Sequence, residues 1–301
     1  MCKSGKACQN RHMKYTTDWP TVALLFGCYA LWALLLFAGP VWLAALLLGP
    51  VIALQSSLQH EVLHGHPFPN QTLNEALVWP SLNLVIPYNR FRDTHLQHHN
   101  DARLTDPYDD PESNYLDPEV WGALPAWRQA IYQCNNTLIG RLALGPLIGT
   151  ITFLKSDLLS GDRKIYLQWA AHLPAMTGVM AIVHLAQLPL WLYAITSYIG
   201  LSILKLRTFL EHQASERCSG RTAIVESGGV FGFLFLNNNL HSVHHKHPKV
   251  AWYRLPALYR ANRDHYLQRN GGYFYPSYGA IFRRYALKTK DPVAHPLWQR
   301  R

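Results

Sequence analysis

Two long stretches of the chain carry no charge. Residues 19–59 and 165–204 contain no Asp, Glu, Lys or Arg. Each is about 40 residues long, roughly twice what a helix needs to cross ~30 Å of hydrocarbon. A turn signal divides each stretch, Gly39-Pro40 in the first and Gln187-Leu188-Pro189 in the second. The pattern predicts four spanning helices, at about 20–38, 41–59, 167–186 and 189–206, paired into two hairpins with short turns. A soluble helix of this length normally shows a polar face, which these runs lack. Two other apolar runs are weaker signals. Residues 227–240 are too few to span and suit an interfacial or re-entrant segment. Residues 137–154, apolar apart from Arg141, are compatible with a membrane-surface helix.

Charge gives the hairpins an orientation. Lys3, Lys6, Arg11 and Lys14 precede the first span, Arg163 and Lys164 the third, and Lys205 and Arg207 close the fourth, whereas the two outer turns carry no charge. The positive-inside rule then places both termini and the polar segments 60–164 and 208–301 in the cytosol. The first apolar run has no small-residue cleavage pattern and leads at once into another span, unlike a cleavable signal peptide. Composition agrees, with 49% hydrophobic and 15% charged residues. The net charge of +10 follows from the same bias and from attraction to anionic lipid, so no nucleic-acid partner is expected. Cys2, Cys8, Cys28, Cys134 and Cys218 are odd in number and form no CxxC pair. Reduced thiols are expected, with neither a disulfide framework nor an iron–sulfur site.

Ten of the 16 histidines fall in three clusters: His60, His64 and His66; His95, His98 and His99; and His241, His244, His245 and His247. Residues three and four apart share a helix face. His60 with His64, the His95 trio and the His241 trio can therefore each turn imidazoles toward one point. That makes eight nitrogens without His66 or His247, more than one metal takes; two ions suit them better, and imidazole is a good ligand for iron. His212, just beyond the fourth span, sits as His60 does beyond the second. His172 and His184, near the ends of the third span, read as interfacial, and His12, His265 and His295 as surface residues. The carboxylates that follow the second cluster, Asp101, Asp106, Asp109, Asp110 and Glu112, are the right type to hold a ligating imidazole's free N–H. They also lie in a Pro-rich loop, where a solvated turn is the simpler reading.

One HxxxH box (His60, His64) and two HxxHH boxes (His95, His98, His99; His241, His244, His245), in this order about two hairpins, resemble the membrane fatty acid desaturase superfamily over roughly residues 20–250. That superfamily includes acyl hydroxylases, epoxidases and carotenoid ketolases. The resemblance implies one all-α membrane domain over 1–301, with a cytosolic helical cap holding two irons on the eight box histidines and His212. It also implies O2 as co-substrate and hydrogen removal from an unactivated C–H bond of an acyl or other long apolar chain. In some members an asparagine completes the metal sphere through water, and Asn237, Asn238 and Asn239 precede the third box.

Fatty acyl desaturation is the expected reaction, with hydroxylation or carotenoid ketolation as the alternative. Two remoter readings remain. His60-Glu61-Val62-Leu63-His64 also reads HExxH, a zinc protease signature with Glu61 as general base, but that leaves both HxxHH boxes without a role. A metal transporter would need polar groups along its spans, and these spans have few. No electron-transfer module is recognisable, so a separate ferredoxin, rubredoxin or cytochrome is expected. The basic residues Lys246, Lys249, Arg254, Arg300 and Arg301 suit an acidic carrier.

Overall fold

The computed structural model describes residues 17–100 and 102–299. Of the positions weighed above, Cys2, Lys3, Lys6, Cys8, Arg11, His12, Lys14, Asp101, Arg300 and Arg301 lie outside the described residues. In chain order the helices are α1 (Trp19–Phe37), α2 (Val41–Leu63), α3 (Gln71–Val78), α4 (Tyr88–His98), α5 (Pro118–Ala123), α6 (Ala126–Asn135) and α7 (Leu138–Leu158). They continue with α8 (Arg163–Leu185), α9 (Leu190–Thr208), α10 (Gly229–Leu234), α11 (His241–Lys246), α12 (Leu255–Ala261), α13 (Arg263–Arg269) and α14 (Tyr278–Tyr285). The strands among the described residues are β1 (Ile224–Val225) and β2 (Phe274–Tyr275), paired in parallel.

Local chemistry sets the first hairpin. The Asp18 carboxylate caps α1 by accepting from the Thr21 hydroxyl at 2.7 Å, and Pro20 suits the first turn. At the far end the N–H groups of Ala38 and Gly39 both bond the Leu34 carbonyl, and Pro40 opens α2. The second hairpin turns at Gln187, whose φ of 58° is left-handed, before Pro189 opens α9. Helices thus occupy all four charge-free segments. Those long and apolar enough to cross a membrane are α1, α2 and α7. α7 holds the run 137–154, and the run 227–240 forms α10 and the turn after it.

The hairpins meet where two glycines allow the backbones to approach. A Cβ at Gly200 would lie 3.0 Å from the Gly49 carbonyl oxygen and 2.9 Å from Ile52, and one at Gly49 would lie 2.7 Å from Ile199. This contact of α2 with α9 brings their carboxy-terminal ends, bearing His60 and leading to His212, to the same end of the molecule. Buried amides then fix the non-helical segment 79–86 beside α2. Gln55 donates to the Pro80 carbonyl at 3.2 Å, and Gln59 donates to the Val78 carbonyl and the Ser81 hydroxyl, both at 2.9 Å. His172 is buried in α8 and hydrogen-bonds the Leu84 carbonyl at 3.0 Å, while His184 is exposed.

α4, which carries the second histidine cluster, is anchored by ion pairs. Arg90 grips Asp157 of α7 with two bonds of 2.7 and 2.8 Å, and the Trp169 indole of α8 donates to the same carboxylate at 2.8 Å. Lys164, Gln168 and Arg92 surround Asp93. Burial alone would raise the Asp93 carboxyl, but these donors outweigh it and hold it down at about 2. Two expectations need correction. His295 is buried, not a surface residue: its Nε2 lies 3.2 Å from the Thr105 hydroxyl, which ties the carboxy-terminal segment to the loop after α4. Cys28 and Cys134 are free, but Cys218 is disulfide-bonded, so the thiols are not all reduced.

Removing one partner of a buried ion pair strands the other charge. Asp157→Ala should destabilise the protein by about 3–5 kcal/mol, read as a lower thermal midpoint in detergent. An unchanged midpoint would show that the Arg90 pair does not anchor α4.

Candidate metal centre

Four elements deliver histidines to one place. α2 ends in His60, with His64 one turn on; α4 carries His95 and His98, followed by His99; His212 follows α9; α11 carries His241, His244 and His245. The structure brings all nine predicted histidines together and divides them into two groups. His60, His64, His95, His99 and His244 form one, and His98, His212, His241 and His245 the other. Within each group the nitrogens lie within 4.8 Å of one another. Helical spacing explains the division. In α4 the i, i+4 pair His95 and His99 faces the first group while His98 faces the second; in α11 the i, i+4 pair His241 and His245 faces the second while His244 faces the first. The stacked rings of His99 and His245, with centroids 4.4 Å apart, join the groups.

The outer ring nitrogens settle which inner atoms are free. Nδ1 of His95 lies 2.8 Å from Glu112 Oε1, and Nδ1 of His98 lies 2.7 Å from Asp110 Oδ1. Nδ1 of His241 lies 3.2 Å from Asn238 Oδ1 and 3.3 Å from Glu211 Oε1, and Nδ1 of His212 lies 3.3 Å from the Arg221 carbonyl. With Nδ1–H donating outward, each Nε2 turns a lone pair inward. There they crowd. Nε2 of His98 and His241 approach that of His212 at 2.8 and 3.0 Å, and Nε2 of His95 and His244 approach that of His99 at 3.0 and 3.1 Å.

Two neutral imidazoles cannot satisfy one another through lone pairs, and His64 Nε2 is buried with no hydrogen-bond partner. Burial, reinforced by neighbouring histidines, holds His212, His241 and His244 well below the usual imidazole range, and His99 likewise. Neutral rings are the form that binds a cation. His98 differs: burial would lower it, but Glu112 and Asp110 outweigh that and raise it to about 9. A donor set of nine convergent nitrogens on buried or partly buried rings, with carboxylates behind the outer N–H groups of His95 and His98, fits metal ions.

The sequence offered Asp110 and Glu112 among five carboxylates after the second cluster, without choosing between them; they stand 12 and 17 residues from the histidines they hold. Glu211, whose Oε1 lies 3.3 Å from His241 Nδ1, was missed, although it directly precedes His212. Of the three asparagines only Asn238 touches the centre; it lies 3.5 Å from His60 Nε2 and 3.2 Å from His241 Nδ1. Asn237 bonds the Trp252 carbonyl, and Asn239 bonds the carbonyls of Val225 and Ser227. His66 and His247 stand outside both groups.

A family model described as fatty acid desaturase matches residues 38–277, a span that contains all nine histidines. The chain belongs to the fatty acid desaturase family. It is also similar to a β-carotene ketolase from Paracoccus sp. (strain N81106 / MBIC 01143), 24% identical over 231 residues that cover 73% of this chain and 76% of that protein. A membrane oxidoreductase of the desaturase superfamily follows, and iron is the cofactor that the family implies.

Glu112→Ala leaves the His95 Nδ1–H without its carboxylate. Metal affinity, measured by competition with a chelator, should fall about 10–100-fold; an unchanged affinity would mean that Glu112 does not orient His95.

Proposed function

We propose that this chain is an O2-dependent, non-haem di-iron oxidoreductase that desaturates fatty acyl chains in the membrane. The observation that carries the reading is the division of nine convergent imidazoles into groups of five and four, a separate donor set for each of two ions. His60, His64, His95, His99 and His244 would hold one iron and His98, His212, His241 and His245 the other. When bound, the irons supply the activation of dioxygen for removing hydrogen from an unactivated C–H bond.

The protein's part is to place and protect. Asp110 and Glu112 orient the rings of His98 and His95 by accepting their outer N–H groups, and Asn238 Oδ1 does the same for His241, with the Glu211 carboxylate 3.3 Å from that nitrogen. Apolar side chains such as Leu58, Val62, Leu210, Phe235 and Val243, all buried, keep water from the centre. The zinc-protease reading is disfavoured by the grouping of Glu61 with Asp18 and His66 apart from the nine histidines, its Oε1 accepting the Trp252 N–H at 3.0 Å.

We also read α1, α2, α8 and α9 as four spans in two hairpins within a single domain, with the termini and the histidines on the cytosolic side. Support comes from charge: Arg163, Lys164, Lys205 and Arg207 lie at the end that carries the histidines, whereas the turns at 38–40 and 186–189 carry none. Electrons would come from a separate ferredoxin, rubredoxin or cytochrome. A second reading, ketolation or hydroxylation of a carotenoid, is favoured by the similarity to the β-carotene ketolase.

Expression in a bacterium that makes β-carotene separates the two readings. Lipid extracts should contain acyl chains lacking the mass of two hydrogens, formed only with O2 present and absent from the His98→Ala strain. Unchanged acyl chains alongside oxygenated β-carotene would establish the second reading, and no new product of either kind would contradict both.

A further inference from the structure

A second buried cluster lies beside the histidines without belonging to them. Asp18, Glu61 and His66 bring ligand-type atoms within 4.8 Å of one another, yet each of these side chains already has protein partners. His66 Nδ1 lies 3.0 Å from Asp18 Oδ2, and its Nε2 lies 3.3 Å from the Lys249 carbonyl and 3.8 Å from Glu61 Oε1. Glu61 Oε1 accepts the Trp252 backbone N–H at 3.0 Å. The Trp252 indole N–H donates to the Thr21 hydroxyl at 3.1 Å, and that hydroxyl donates to Asp18 Oδ2 at 2.7 Å. The Asp18 N–H donates to the Pro67 carbonyl at 2.8 Å.

These contacts close a ring through four chain segments: the start of α1, the end of α2, the loop at 66–67 and the stretch 249–252. Two of the segments run directly into the first histidine group. Glu61 stands between His60 and His64, and Trp252 follows α11, which carries His244, by a short turn. Strain or slack in the ring therefore changes the distance between the α2 and α11 histidines. The α2 histidines His60 and His64 belong to the first group alone, whereas α11 carries His244 of the first group and His241 and His245 of the second, so it is through α2 that the ring acts on one group. A third cation is not needed to explain the cluster, since two carboxylates already face an imidazole, a backbone N–H and a hydroxyl.

We propose that Asp18, Glu61 and His66 form a metal-free clasp that positions His60 and His64 against His244 by tying the end of α2 to the segment after α11. This inference rests on reading the nine histidines as ligands of two metals. Glu61, the general base of the HExxH alternative, is here a positioning residue that acts through the Trp252 N–H.

Glu61→Ala removes the acceptor, whereas Glu61→Gln keeps an amide oxygen in its place. Two measurements on the full-length protein in detergent test the clasp. The first is amide hydrogen exchange of the metal-free protein. The stretch 249–254 should exchange about 10-fold faster in Glu61→Ala, with Gln restoring protection and other regions unchanged. The second is a titration of the metal-free protein with Co(II), followed by visible absorption. Wild type should bind in two steps. Glu61→Ala should weaken one step about 10–100-fold and leave the other, and Glu61→Gln should stay close to wild type.

Equal impairment of Gln and Ala would overturn the proposal in favour of a role for the carboxylate charge. Equal weakening of both steps would mean a general loss of structure, and no effect of Ala on either measurement would leave the clasp without function. A third Co(II) per chain, lost in His66→Ala, would make the cluster a cation site. If wild type bound no Co(II) at all, the reading of the histidines as ligands would fail, while the exchange at 249–254 would still decide whether the clasp exists.

Discussion

Nine imidazole nitrogens held together out of water, most of them neutral, govern this molecule. Their lone pairs point inward at one another, with Nε2 atoms about 3 Å apart, and such an arrangement is unfavourable unless a cation lies between them. Each buried nitrogen left without a partner costs about 1–3 kcal/mol, so the rest of the fold must over-determine the site. It does so from several directions. Outer N–H groups of His95 and His98 are taken by carboxylates and that of His241 by the Asn238 amide oxygen, which fixes both the tautomer and the ring plane.

The membrane-facing part of the chain supplies the frame for that convergence. Gly49 and Gly200 allow α2 and α9 to approach closely, and their ends bring His60 to one histidine group and His212 to the other. Beside this pair, α4 is held by the buried grip of Arg90 on Asp157 and by the cluster around Asp93. The segment 79–86 threads between helices by giving its carbonyls to Gln55, His172 and Tyr193 and the Ser81 hydroxyl to Gln59. Polar side chains within apolar helices thus serve packing here, which is why His172 sits inside α8 without belonging to the metal centre.

Periodicity made much of this legible from the chain alone. Charge-free stretches marked four of the long helices, and i, i+3 and i, i+4 spacing marked eight of the nine histidines, because both are local properties of a helix; His212 was marked by its place beyond the fourth span and by the family resemblance. The division into five and four was not legible, since it depends on how α4 and α11 are rotated against one another. Asp110 and Glu112 could be named only among five candidates, because a turn-rich acidic loop looks the same whether its carboxylates face solvent or an imidazole. Glu61 illustrates the reverse case. Its motif suggested a catalytic base, and only the approach of Trp252, 191 residues away, reveals where its carboxylate points.

The central claim is that the two histidine groups hold two irons. Elemental analysis of the protein purified in detergent tests it most directly, with His244→Ala and His98→Ala each removing a ligand from one group. The account predicts about two irons per chain in the wild type, with metal lost in both variants. A single zinc that survives both substitutions would contradict it.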